Sequence, residues 1–307
     1  MANTSFEGPI RSKNNYKLYS VETSTSAALG TEQDRTQGFG IKDARRIYLE
    51  EYFYQRPGLN AVNIIDPDAD SASDLAITQA ANKNFETLGA NYTTALTTFA
   101  TTSAGILMTT ATTDQDQAIL LPHLDGNQSA WAKTLWGTEN QVEWECSIQA
   151  AQTDNEKIWA GLKETNDHPV ATDDDKVYFK YQTDADNSEA FSDYSYWHLV
   201  HSIGGTDYIS QTPVTFAADT PYHLKIVIDS DRKMTYFING IQYNVTTTAG
   251  STGGTAVTAV QPSTAAVKSA ALTDDVNLIP YIGIENGDAA AAVLNVHYTA
   301  ISRHVYE

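Results

Sequence analysis

The sequence holds one cysteine, Cys146, so no disulfide can form within the chain and its fold has to rest on a buried core. It has no run of about 18 apolar residues, so no membrane-crossing helix is predicted. The opening Met1-Ala2-Asn3-Thr4-Ser5 lacks an apolar stretch, which predicts no secretory signal and synthesis in a cytoplasm. Positive charge is scarce: 19 Lys and Arg stand against 38 Asp and Glu, a formal net charge of -19. Such a surface repels phosphate backbones and anionic lipid heads, so neither nucleic acid nor membrane is an expected partner. Phosphate loops, dinucleotide fingerprints, zinc-type cysteine spacings and nucleophile elbows are also missing, and no cofactor is expected.

The residues present favour β-structure. There are 17 Tyr and 5 Trp, and Thr is abundant. Aromatic and β-branched side chains suit a pleated, half-buried surface. From about Asn82 the chain reads as short strands separated by turn signals. Val142, Trp144, Cys146 and Ile148 alternate with Glu143 and Glu145; Val177, Phe179 and Tyr181 mark another strand, and Trp197, Leu199, His201 and Ile203 a third. Leu224, Ile226 and Ile228 lead through a polar turn at Asp229–Lys233 to Met234, Tyr236 and Ile238, which end at Asn239-Gly240, a strong hairpin signal. Leu278–Ile284 and Val293–Tyr298 close the series. Thr246–Thr273 is rich in Thr, Ala and Gly and is expected to be a long loop that projects or crosses to a neighbouring subunit.

The first part of the chain differs in charge. Residues 1–57 carry eight basic and seven acidic side chains, whereas the rest carries eleven and thirty-one. Residues 1–80 are therefore read as an extended N-terminal arm and linker for assembly, and residues 81–307 as an antiparallel β-sandwich. Within the arm, Ile41–Tyr54 fits one face of a helix or a strand, Asp66–Asp70 reads as a linker, and Leu75–Ala81 as a short helix capped by Ser73.

Two resemblances extend this reading. Thr220–Asp229 (TPYHLKIVID), Tyr236–Gly240 (YFING) and Ile279–Ile284 (IPYIGI) resemble the late strands of concanavalin A-like, laminin G-like jelly rolls, which implies that fold for about residues 82–307. Ser5–Ser12 (SFEGPIRS), Ala104–His123 and Trp136–Ile148 (WGTENQVEWECSI) resemble segments of virion proteins of tailed bacteriophages. That likeness implies a structural protein on the phage particle surface, decorating or cementing the capsid, with the major capsid protein or other virion proteins as partners. On this expectation the arm docks through Arg11, Arg45 and Arg46 and buries Phe6, Ile10, Tyr48, Tyr52 and Phe53. Removing residues 1–60 should then abolish docking and leave the sandwich folded. A homo-oligomer is expected, and a trimer would match a capsid's local threefold sites. The alternative is a carbohydrate-binding module or receptor-binding tail protein that takes a host glycan.

Catalysis is not expected. Glucanases on this fold carry Glu-x-Asp-x-x-Glu on one strand. Here Glu143 and Glu145 share a face, but Cys146-Ser147-Ile148 follows, so the pair reads as a solvated strand face. His198 and His201 point to opposite faces of a strand and cannot share a metal there. Cys146 reads as a small core hydrophobe, and Asp173–Asp175 as a solvated acidic loop.

Overall fold

In the computed structural model the residues described are 46–54, 56–59, 85–89, 91, 96–101, 103–122, 136–164, 173–183, 194–250 and 253–304. The expected linker at Asp66–Asp70 and helix at Leu75–Ala81 lie outside them. The described strands are β1 (Arg46–Glu51), β2 (Gly58–Leu59), β3 (Phe85–Leu88), β4 (Thr97–Phe99), β5 (Ile106–Thr109), β6 (Gln117–Pro122), β7 (Glu143–Ala150), β8 (Glu156–Lys163) and β9 (Lys176–Gln182). They continue with β10 (Tyr196–Ile203), β11 (Thr206–Thr215), β12 (Tyr222–Ile228), β13 (Met234–Ile238), β14 (Ile241–Tyr243), β15 (Thr255–Ala256), β16 (Ile279–Asn286) and β17 (Val293–His304).

These strands make two sheets. One runs β14-β13-β12-β7-β17-β5-β4, with β1 added on β17; the other runs β15-β11-β10-β9-β8-β16-β6-β3-β2. All pairings are antiparallel except β2 with β3 and β11 with β15. The chain thus forms the all-β jelly-roll sandwich that its alternation predicts.

Period-two patterning builds the core. On β7, Trp144, Cys146 and Ile148 point inward and are at most 1% exposed. On β12, Tyr222, Leu224, Ile226 and Ile228 point inward and are at most 3% exposed. Across the sandwich they meet Val177, Phe179, Trp197 and Leu199. The aromatic rings interlock: Trp197 lies 5.3 Å from Phe216 and 5.6 Å from Tyr222, both edge-on. Rings of this size dominate the apolar area removed from water. The hairpin at Asn239-Gly240 forms as predicted, with φ of 51° and 77° at its two central residues.

Three expectations are corrected. Residues 46–59, assigned to the arm, belong to the sandwich: β1 pairs with Thr299–His304 of β17, and β2 pairs with β3. Phe53, between them, is 3% exposed and meets Phe85 edge-on at 6.4 Å. A strand wins over a helix at Arg46–Glu51 because β17 offers it six partnered positions. Second, the described residues of 246–273 do not project. They form a strap along the sandwich edge, where β15 pairs with Ser210–Gln211 and bridges link Ala259 to Tyr243 and Ala271 to Lys233. The strap thereby covers edge groups that would otherwise invite pairing with another chain. Third, Asp173–Asp175 is not a solvated run. Asp173 and Asp175 are 4% and 5% exposed; Asp173 accepts the Glu164 amide and lies 3.7 Å from Lys163, and Asp175 accepts from Thr273 Oγ1 at 2.6 Å.

Glu156 opens β8 opposite Asn286 of β16, and both are fully buried. The nearby donors are already used: Tyr181 and Thr183 hydroxyls donate to the Thr153 carbonyl, and Asn286 Nδ2 to loop carbonyls at Thr113, Asp288 and Ala290. Burial, aided by Asp154, raises Glu156 from the usual 4.5 up to about 9. It is neutral at pH 7.

Phe53→Ala will lower stability by about 3–5 kcal/mol in urea denaturation, and removal of residues 1–60 will destabilise the sandwich because it takes away β1, Leu49 and Phe53. Glu156 binds its proton more tightly folded than unfolded, so its contribution is complete below pH 4.5 and is lost as pH climbs through about 9. The slope is at most about 1.4 kcal/mol per pH unit. Glu156→Gln will flatten this decline, measured by denaturation across that window.

Candidate functional site

The outer face of the eight-stranded sheet is built around β7, β12 and β17. Its geometry depends on an irregularity in β17. Val296 pairs with Ile148 and Tyr298 with Ser147, so His297 is an extra residue. A bulge of this kind shifts the alternation by one. As a result Asn295 and Tyr298, three apart, both face outward, while Leu294, Val296 and Ile301 stay in the core. Gly105 makes room for the bulge: a Cβ there would sit 2.0 Å from the Val296 carbonyl oxygen, and its φ is 95°.

Tyr298 stands in a row of rings drawn from three distant parts of the chain. Tyr52 stacks on Tyr298 at 5.8 Å and 27°, His223 of β12 stacks on its other side at 6.1 Å and 29°, and Tyr54 extends the row at 6.3 Å from Tyr52. Tyr54 is 88% exposed, and the other three are half-buried.

Beneath the rings lies a charged cluster. Glu143 Oε2 is 2.9 Å from Lys225 Nζ, and its Oε1 is 3.4 Å from Arg46. Glu145 Oε2 lies 3.6 Å from His223 and 3.9 Å from Lys225, and Tyr298 brings its hydroxyl to 3.5 Å from Glu145 Oε1. Burial alone would raise Glu143, but Lys225 and Arg46 outweigh it and hold the carboxyl below its usual range. Burial and then the Glu145 charge push the Tyr298 phenol up, so it stays a hydrogen-bond donor. The sequence reading of Glu143 and Glu145 as solvated is corrected: they share a face, but Glu145 is 5% exposed and both are matched to cations.

The residues proposed for docking separate here. Phe6, Ile10, Arg11 and Arg45 lie outside the described residues. Arg46 is committed internally: it donates to the Gln141 carbonyl at 2.7 Å and to Ser302. Phe53 is core. Tyr48, on the outer face of β1, and Tyr52, just past its end, are half-buried, and Tyr52 joins the ring row. Sequence reasoning missed His223, Tyr298 and Tyr54. Period two could have flagged His223, an outward position on β12; Tyr298 faces outward only because of the bulge, and Tyr54 lies past the end of β1, so neither carried that signal.

The outer face of the nine-stranded sheet was a second candidate. It carries Lys157, Lys163, Lys176 and Lys180 among Trp159, Tyr178 and Tyr281, yet all but the half-buried Lys157 are buried. Lys163 sits 4.8 Å over the Tyr281 ring, Lys176 pairs with Asp207 at 3.3 Å, and Lys157 pairs with Glu285. Burial, with Lys157 nearby, lowers Lys180 to about 7. Leu88, Ile119 and Leu121 join these rings in a second apolar cluster, so this face serves as a second core. His198 and His201 are both 1% exposed; burial lowers His201 to about 4, and it stacks on Tyr208. Cys146 is fully buried, as expected. Among the described residues one trio could hold a cation, Glu139, Asp274 and Asp275, whose oxygens converge within 4.8 Å, although Arg232 already pairs with Asp274 at 3.1 Å.

No protein-family profile matches this chain, and no curated protein does. Among solved structures it is similar to a beta-glucanase of Bacillus licheniformis, with 8% identity, 83% of this chain and 97% of that one covered, and a TM-score of 0.44. Peanut lectin matches at 10% identity over 86% of this chain and all of the other, with a TM-score of 0.43. The carbohydrate recognition domain of Emp46p matches at 6% identity over 82% and 97%, also at 0.43. Likeness at this level assigns no activity, so function is argued from the residues themselves.

The ion cluster makes a test of its own. Lys225→Ala leaves two carboxylates with one cation fewer and will lower stability by about 1–3 kcal/mol, discounted for the partial exposure of Glu143. The loss will be larger at low ionic strength in salt-dependent denaturation.

Proposed function

We propose that this chain is a carbohydrate-binding module whose ligand lies against the outer face of the eight-stranded sheet. The observation that carries the reading is the ring row Tyr54–Tyr52–Tyr298–His223, half-buried to exposed, on a rigid sheet. Sugar rings have apolar faces and polar edges. Aromatic side chains supply flat apolar area at low conformational cost, and a few placed polar groups fix orientation. Here the Tyr hydroxyls and His223 lie in the row itself and can meet sugar hydroxyls, and Glu145, buried beneath, anchors Tyr298 and His223.

Binding fits the chemistry better than bond cleavage. Glu143 is held ionised by two cations, so it is a poor proton donor, and no third acid follows on β7. A general acid needs a raised affinity for its proton. The virion-surface role that the sequence resemblance implies is compatible with this reading, since adhesion to a host glycan is a surface task. In it the sandwich is the adhesive part and the segment before β1 the part that attaches to the particle.

A glycan array probed with the full chain tests the proposal. At least one class of oligosaccharide should be retained, and Tyr298→Ala and Tyr52→Ala should each weaken retention about tenfold or more with the melting transition still cooperative. Retention of no glycan by the wild-type chain would sink the reading.

A further inference from the structure

The same sheet face continues past the ring row into a groove of ≈ 330 Å³. Gln149 of β7 and Asn295 of β17, which are cross-strand partners, form its floor. Thr101 and Ser103 wall one side from the β4–β5 turn, and Asp219 stands at the end. The size falls in the lower part of the range of ligand sites. Thr101, Ser103, Gln149, Asp219 and Asn295 bring hydroxyl, amide and carboxylate groups to it, which exchange hydrogen bonds with polyols.

One atom asks for a ligand. Asn295 is 6% exposed and its Nδ2 donates to Ser103 Oγ at 2.6 Å, but its Oδ1 has no hydrogen-bond partner. A buried acceptor left unmade is costly, so native structures rarely keep one without a reason. A hydroxyl donor entering the groove would satisfy it. The bulge at His297 is what turns both Asn295 and Tyr298 to the same side.

The groove and the rings lie on one track. Tyr298 and His223 both pair with Ser147 of β7, and Gln149 is in the groove two residues further on, which is about 7 Å at the rise of a strand. That separation exceeds one sugar ring. We infer that the groove is a second subsite of the carbohydrate-binding face, so that the ligand is an oligosaccharide running along β7, with one sugar against Tyr52 and Tyr298 and another donating a hydroxyl to Asn295 Oδ1. This inference rests on the ring-row reading.

Titration calorimetry with a series of neutral and uronic-acid oligosaccharides of one to six sugars separates the two. Asn295→Leu removes the acceptor, and Gln149→Ala, at a half-buried position, is the variant that keeps the test open if the first fails to fold. Both should weaken binding of the longer members about tenfold and leave the shortest bound members unchanged, whereas Tyr298→Ala should weaken all of them. If Gln149→Ala and a folded Asn295→Leu bind every length as the wild type does, while Tyr298→Ala does not, the groove is no subsite and the ring row stands. If Tyr298→Ala also binds normally, or the wild type binds no member, both readings fall.

Discussion

The pairing of β17 with its neighbours holds the outer face of the eight-stranded sheet together. This twelve-residue strand is hydrogen-bonded to β7 on one side and to β5 and β1 on the other, at different points along its length. Its inward side chains, Leu294, Val296 and Ile301, are at most 2% exposed and fix its register by burial. A one-residue slip would turn every outward group into the core. The single extra residue at His297 is tolerated because Gly105 leaves space and because the His297 ring meets the Ala104 carbonyl at 2.9 Å. From that one irregularity follow the outward positions of Tyr298 and Asn295, and from the pairing with β1 follows the delivery of Tyr52 to its stacking partner.

The two sheets treat their outer faces differently. On the nine-stranded sheet, Leu88, Ile119, Val200 and Ile209 lie outward yet are at most 7% exposed. Its charged groups are matched pairwise, Lys163 with Asp173 and Lys176 with Asp207. Buried ions in such pairs add little net stability but are expensive to break. The eight-stranded sheet instead leaves rings half-buried above a charge cluster. An apolar surface with polar groups at its margin, held on a rigid scaffold, is the arrangement that recognition requires.

Local features of the fold were readable before the structure. Alternation identified the inward side chains of β7, β9, β10 and β12, and Asn239-Gly240 located a hairpin, because period two and positive φ are properties of adjacent residues. Long-range features were not. Arg46–Glu51 fits a helical face as well as a strand, and only β17, some 250 residues later, decides the matter. Glu143 and Glu145 were correctly placed on one face, but their cations, Arg46 and Lys225, come from β1 and β12. The acidic run at Asp173–Asp175 looked solvated because its partners Lys163, Gly204 and Thr273 are distant in sequence. The ring row is the extreme case: its four members come from positions 52 to 298 and share no motif.

Crystals of the full chain grown with an oligosaccharide that it retains would test the central claim most directly. The account predicts a sugar ring lying over Tyr52 and Tyr298, with the chain of sugars following β7 toward Gln149. Sugar bound on the outer face of the nine-stranded sheet, among Lys163, Trp159 and Tyr281, would contradict it.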